Sequence, residues 1–206
     1  MLNEFKQKGY THLKKVIAKD VIDEVRFRAI QLSKKYKPLF GKPRHNGSGQ
    51  FWKGFELAST LDPNLWKFYT APFMLDIAKK YLEIDTPYLF NDQIVVKFPE
   101  EDFYFGEHSD NQLGPDPEGA LKGDFKTINC CWALTNMNED NGCLFIQNKP
   151  IIAEAGDIII IEGNTLHKSE HNTSNKIRAL YACVYSSHAI GENFNKGYYY
   201  EKFETK

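Results

Sequence analysis

Asp157-Ile158-Ile159-Ile160-Ile161 runs into Glu162-Gly163-Asn164-Thr165-Leu166-His167-Lys168-Ser169, so the longest aliphatic run of the chain leads into a turn and then a histidine. Consecutive β-branched residues bounded by an acid and a glycine read as a strand. Five further β-rich runs separated by turn residues share the second half of the chain: Gln93 to Phe98, Phe103 to His108, Thr127 to Leu134, Gly142 to Gln147 and Ile177 to Tyr185. Together they predict a β-sandwich or barrel. Upstream of about residue 86 the pattern is helical instead. Asp20 is placed to cap a helix carrying Val21, Val25, Ala29 and Leu32 on one stripe, with Pro38 and Gly41 marking its end; Asp62-Pro63 starts a second helix, and a third runs from Pro72 to Leu82. Helices followed by strands predict a mainly β fold, one sheet system buttressed on its outside by N-terminal helices. A single domain over 1–206 is expected, with a helical buttress to about 85, a strand core over 86–188 and an extension over 189–206. Lys37 to Gly54 and Asn111 to Gly123 read as irregular loops, a class that often carries function.

Composition narrows the functional classes. The 206 residues are 42% hydrophobic and 26% charged, an ordinary globular balance. Lys plus Arg (26) against Asp plus Glu (27) leave a net charge of −1, which gives no electrostatic drive toward nucleic acid or anionic lipid. No signal-peptide core or membrane-length apolar run is present, so no membrane partner is expected. Cysteines 130, 131, 143 and 183 form no CxxC pair or framework and read as reduced thiols in a cytoplasmic protein.

His108-Ser109-Asp110 sets an imidazole and a carboxylate at i and i+2, on one face if the chain is extended. About 0.3 such pairs arise by chance in a chain of this composition, so the pair needs support elsewhere. His167 supplies a second imidazole, and Arg178 follows eleven residues later. Two histidines and one carboxylate with open positions are the metal set of non-haem Fe(II) oxygenases. Arg178 then suits the far carboxylate of a bound anion, its planar fork favouring bidentate pairing, and Ser169 can add a hydrogen bond from the face it shares with His167.

The ordered motifs His108-x-Asp110, Trp132-Ala-Leu-Thr-Asn, Asn141-Gly-Cys-Leu144, His167-x-Ser169 and Asn172-x-Ser174-x3-Arg178 resemble the phytanoyl-CoA dioxygenase family across about residues 5 to 188. His108-Ser-Asp110 with Ala133-Leu-Thr-Asn is also similar to the bacterial ectoine hydroxylases within it. The resemblance implies a double-stranded β-helix, a cupin-like jelly roll. It implies Fe(II) at His108, Asp110 and His167, 2-oxoglutarate held by Arg178, Ser169 and Lys97, and O2 as co-reactant. Asp110 fills the position that halide takes in related halogenases, which favours hydroxylation.

Two departures stand out. Cys131 occupies the position of an inward tryptophan in many members, so it is a candidate for the co-substrate wall, with Trp132 facing the other way. The insertion that commonly follows Gln147-Asn-Lys-Pro150 is almost absent, which favours a small polar substrate over an acyl-CoA. Gln93 shares a strand face with Lys97, Asn111 and Gln112 follow the metal aspartate, and His45 and Trp52 sit in the first irregular loop; all five are substrate-binding candidates. His12, His171 and His188 read as structural or exposed, and Tyr198-Tyr-Tyr200 as packing. A protein or peptide side-chain hydroxylase, and a metal-binding jelly roll without turnover, are the alternative readings.

Overall fold

A computed structural model describes residues 1–35, 44–45, 51–52, 55–56, 58–99, 101, 103–113 and 125–188. The expected runs pair into two antiparallel sheets. The larger has the order β1 (Tyr10–Leu13), β10 (Ile158–Glu162), β7 (Thr127–Ala133), β12 (Arg178–Ser186), β5 (Tyr88–Lys97) and β4 (Phe55–Glu56). The smaller has the order β6 (Phe105–His108), β11 (His167–Ser169), β8 (Leu144–Ile146) and β9 (Lys149–Ile151). β2 (Arg44–His45) and β3 (Phe51–Trp52) form a hairpin beside β6. The chain has the expected jelly-roll architecture of two facing sheets with helices on the outside.

Strand alternation sorts the larger sheet into two interiors. Val95, Cys131, Ala133, Ile159, Ile161, Leu180 and Ala182 face the smaller sheet, where they meet Leu144, Ile146 and Ile151. Ile94, Val96, Cys130, Trp132, Ile158, Ile160, Tyr181 and Tyr185 face the helices. Those helices are α1 (Leu2–Lys8), α2 (Lys19–Lys35) and α3 (Pro72–Leu82), with short turns at Ala58–Leu61, Pro63–Leu65 and Trp66–Tyr69 between the last two. α2 buries Ile22, Val25, Ala29 and Leu32, a 3–4–3 spacing that makes one helical stripe. Buried Asp92 staples this layer down, accepting from Ser59 N at 2.9 Å, Ser59 Oγ at 2.9 Å and Tyr181 Oη at 2.7 Å.

Several expectations need correction. Asp20 lies inside the first turn of α2, where its charge complements the helix N-terminus, and Ile22 rather than Val21 leads the buried stripe. Asp62 does cap its helix, accepting from Asn64 N, but that helix is a short 3-10 turn. The region before residue 86 is not purely helical, since β1 pairs with β10 and β4 with β5. Strands of two to four residues carry too little periodicity to be read from sequence. Pro38, Gly41 and Tyr198–Tyr200 lie outside the described residues. No helix among the described residues is long and apolar enough to cross a membrane.

Trp132 is fully buried on the helix side, with the rings of Phe73, Tyr181 and Phe68 at 5.7, 5.8 and 6.4 Å. Trp132→Ala is expected to cost about 3–5 kcal/mol in urea unfolding while leaving metal affinity of the folded protein near its original value, because the residue faces away from the second interior. Parallel loss of metal binding would show that the two faces are not independent.

Candidate active site

His108 closes β6 and lies directly across from His167, which opens β11. Their rings are 4.4 Å apart between centroids. Each Nδ1 faces the carbonyl two residues earlier, Gly106 O at 2.6 Å for His108 and Thr165 O at 3.0 Å for His167. Donation from Nδ1 fixes the tautomer and leaves both Nε2 atoms as lone-pair ligands. Burial, with the nearby His167 ring, lowers the His108 pKa and so favours the neutral, ligating form.

Asp110 joins them by a different route from the one the spacing suggests. It opens a single helical turn (Asp110–Leu113) instead of continuing the strand, so same-face alternation does not place it. A clasp does. Asn111 N donates to Gly163 O at 2.9 Å, Thr127 Oγ1 donates to Asn111 Oδ1 at 2.7 Å, and Asn111 Nδ2 donates to Asn164 Oδ1 at 2.9 Å. A Cβ on Gly163 would stand 1.9 Å from Thr127 Oγ1 and 2.6 Å from Asn111 Oδ1, so only glycine fits the joint. Asp110 Oδ1 thereby comes to 3.7 Å from His167 Nε2, and one ligand atom from each of His108, Asp110 and His167 lies within 4.8 Å of the others.

The triad opens into a cavity of about 50 Å³ between the sheets, with Arg178 and Ser169 also on its wall. Arg178 is 1% exposed, and its Nε, Nη1 and Nη2 have no hydrogen-bond partner among the described residues. It pairs in register with Lys97, which is 0% exposed. Lys97 Nζ donates to Ser169 Oγ at 2.8 Å and to Glu170 O. Burial lowers Arg178 to about 10. Burial, reinforced by Arg178, lowers Lys97 to about 6. A buried guanidinium whose three nitrogens are unsatisfied among the described residues, with a buried amine beside it whose protonation an anion would favour, makes a receptor for an anion.

The other candidates divide. Gln93 and Cys131 line the cavity, while Trp132 faces the helices. Asn111 is not among its lining residues, and both ends of its amide are used in the clasp. His45 and Trp52 pair with Phe51 and Arg44 in the hairpin beside β6, but their side chains, like that of Gln112, lie outside the described residues. His12 Nε2 bonds Asp157 Oδ2 at 2.8 Å and is structural. All four cysteines are free and buried. Sequence reading missed Asn129, which lines the cavity two positions before Cys131; the same alternation that selected Gln93 from Lys97 would have found it.

The donor set fits a hard or borderline cation such as iron, and the orphaned guanidinium fits a carboxylate. Comparison with known proteins agrees. No curated protein matches the sequence significantly. Among solved structures, the non-heme alpha ketoglutarate dependent carbocyclase SnoK from nogalamycin biosynthesis is similar with a TM-score of 0.74 and 17% identity, covering 90% of this chain and 82% of that one. The epimerase SnoN in complex with Fe3+, alpha ketoglutarate and nogalamycin RO gives 0.71 and 16%, covering 89% and 81%. EctD from S. alaskensis with bound Fe gives 0.72 and 16%, covering 89% and 74%. These likenesses establish the shared fold. Residues 5–147, well over half of the chain, match the family model described as phytanoyl-CoA dioxygenase (PhyH). His167 and Arg178 fall beyond that stretch, and β11 and β12 return them to the site. The chain therefore belongs to the phytanoyl-CoA dioxygenase family of non-haem iron, 2-oxoglutarate-dependent oxygenases.

Proposed function

We propose that this oxygenase hydroxylates a small polar metabolite, with His108, Asp110 and His167 holding Fe(II) and Arg178, Lys97 and Ser169 holding the far carboxylate of 2-oxoglutarate. The observation that carries this reading is the fully buried Arg178, without a hydrogen-bond partner among the described residues, in the same cavity as the triad. An unpaired buried charge costs several kcal/mol, a cost offset when a dicarboxylate fills the cavity. When bound, iron supplies the dioxygen activation that couples conversion of 2-oxoglutarate to succinate and CO2 with oxidation of the substrate.

The protein's part is to bind, orient and exclude water. Arg178 presents a planar fork to the carboxylate; Lys97 adds a positive charge and a donor, aimed by Ser169 Oγ and the Glu170 carbonyl. Leu180, Val95 and Leu144 wall the cavity with apolar surface, which strengthens the ionic contacts inside it. The near-absent insertion after Pro150 and the polar Gln93 amide on the wall support a small polar substrate over an acyl chain. Four free, buried thiols support a reducing, cytoplasmic setting.

Anaerobic addition of Fe(II) and 2-oxoglutarate should give a visible metal-to-ligand charge-transfer band, and Asp110→Ala should abolish it together with tight Fe(II) binding. A wild-type protein without the band contradicts the chelation reading. Arg178→Met should weaken 2-oxoglutarate by about 2–5 kcal/mol with little change in Fe(II) affinity, and should raise the melting temperature of the co-substrate-free protein by relieving an unpaired buried charge. Equal losses of both ligands would contradict the assigned role.

Proton linkage gives an independent check. Lys97 is largely neutral above about pH 6 in the free protein. A bound dicarboxylate stabilises its protonated form and raises its pKa, so binding takes up a proton between the two values, and affinity falls as pH rises through that window. Calorimetry at pH 7.5 in buffers of different ionisation enthalpy should show uptake approaching one proton, vanishing near pH 5 and in Lys97→Met. Proton release at pH 7.5 would reverse the assignment.

A further inference from the structure

Asn129 is a carboxamide that shares its face of β7 with Thr127, Cys131 and Ala133, and it is 7% exposed. Its Nδ2 donates to Asp110 Oδ2 at 3.0 Å, and its Oδ1 accepts from Cys131 Sγ at 3.3 Å. The direction of this chain is fixed chemically. An ionised carboxylate only accepts, so the reversed amide would set Oδ1 against an acceptor; with the amide as found, Cys131 supplies the donor that Oδ1 requires. Asp110 Oδ2 is thus engaged, while Oδ1 is the oxygen 3.7 Å from His167 Nε2.

We propose that Asn129 is a positioning residue that reserves one oxygen of Asp110 for the metal, with the Cys131 thiol locking the orientation of its amide. This rests on the iron and 2-oxoglutarate reading above. The clasp around Asn111 sets the backbone of Asp110, and nothing in it touches the carboxylate; Asn129 alone among the described hydrogen bonds does. Without it, the two oxygens of Asp110 would no longer be distinguished, and either could serve as the metal donor. Cys131 and Asn129 stand two apart on one face of β7, and both line the cavity. The co-substrate wall and the orientation of the metal carboxylate are therefore one hydrogen-bonded unit, and a change at position 131 is transmitted to Asp110.

The test uses Asn129→Leu and Cys131→Val in the full chain, read by Fe(II) affinity, by the energy and intensity of the anaerobic charge-transfer band, and by the absorption spectrum of Co(II)-loaded protein, which reports coordination number. Asn129→Leu should weaken Fe(II) about 10–100-fold and shift the band. Cys131→Val should give a smaller change in the same direction, and Cys131→Ser, which keeps a donor, should restore wild-type behaviour. Cys183→Ala, on the helix-facing side of the same sheet, should lower stability and leave the spectra unchanged. If Asn129→Leu does not fold, Cys131→Val decides. Wild-type Fe(II) affinity and an unshifted band in the folded variants would overturn the proposal, whereas a wild-type protein without any band would overturn the iron and 2-oxoglutarate reading instead.

Discussion

β12 is buried along all nine of its residues, so its alternating side chains must satisfy two different interiors at once. Ala179, Tyr181, Cys183 and Tyr185 belong to the packing under the helices; Leu180 and Ala182 belong to the space between the sheets. A one-residue slip would exchange the sets and drive Tyr181 and Tyr185 into the cavity. Tertiary hydrogen bonds resist that slip. Tyr181 Oη donates to Asp92 Oδ2 at 2.7 Å, and Tyr185 Oη donates to Tyr69 O at 2.6 Å, both on the helix side. With the register held there, Arg178 at the start of the strand points into the cavity opposite Lys97.

The division explains how an apolar core coexists with an ionic site. Everything facing the helices is packed for stability, with Trp132 enclosed by aromatic rings. Facing the smaller sheet, Ala133, Ile159 and Ile161 pack as core, while Gln93, Asn129, Cys131 and Arg178 help frame a cavity whose polar groups are arranged in two clusters. At one end, imidazoles and a carboxylate are oriented by backbone carbonyls and the Asn129 amide. At the other, the Arg178 guanidinium has been taken out of water beside Ser169, which the buried Lys97 amine holds, with apolar Leu180 and Val95 lining the wall.

Tight backbone approaches support both ends. Gly163 lets the turn after β10 close on Asn111 and Thr127, which seats the Asp110 turn. Gly142, at φ 74, lets another turn pass against the Glu170 carbonyl, the group that receives Lys97. The Asn-Gly-Cys-Leu motif thus lies beside buried Lys97, and its glycine permits that close backbone approach.

Much of this was legible in the residues themselves. Short β-rich runs bounded by turn residues announced the main strands, helical stripes announced α2 and α3, and the ordered spacing of His108, Asp110, His167, Ser169 and Arg178 announced the chemistry, because chain order and residue type persist in the sequence whatever the fold. Tertiary structure alone decided that Asp110 reaches the two histidines through a helical turn, that Asn111 is spent on a clasp while Asn129 holds the carboxylate, and that Arg178 has no hydrogen-bond partner among the described residues. Those facts depend on contacts between segments far apart in the chain, such as Asn111 with Asn164 and Lys97 with Ser169, and on the water that packing removes. Local pattern carries the identity of a side chain and its strand face; only the closed fold determines which distant group meets it and whether its charge is left unpaired.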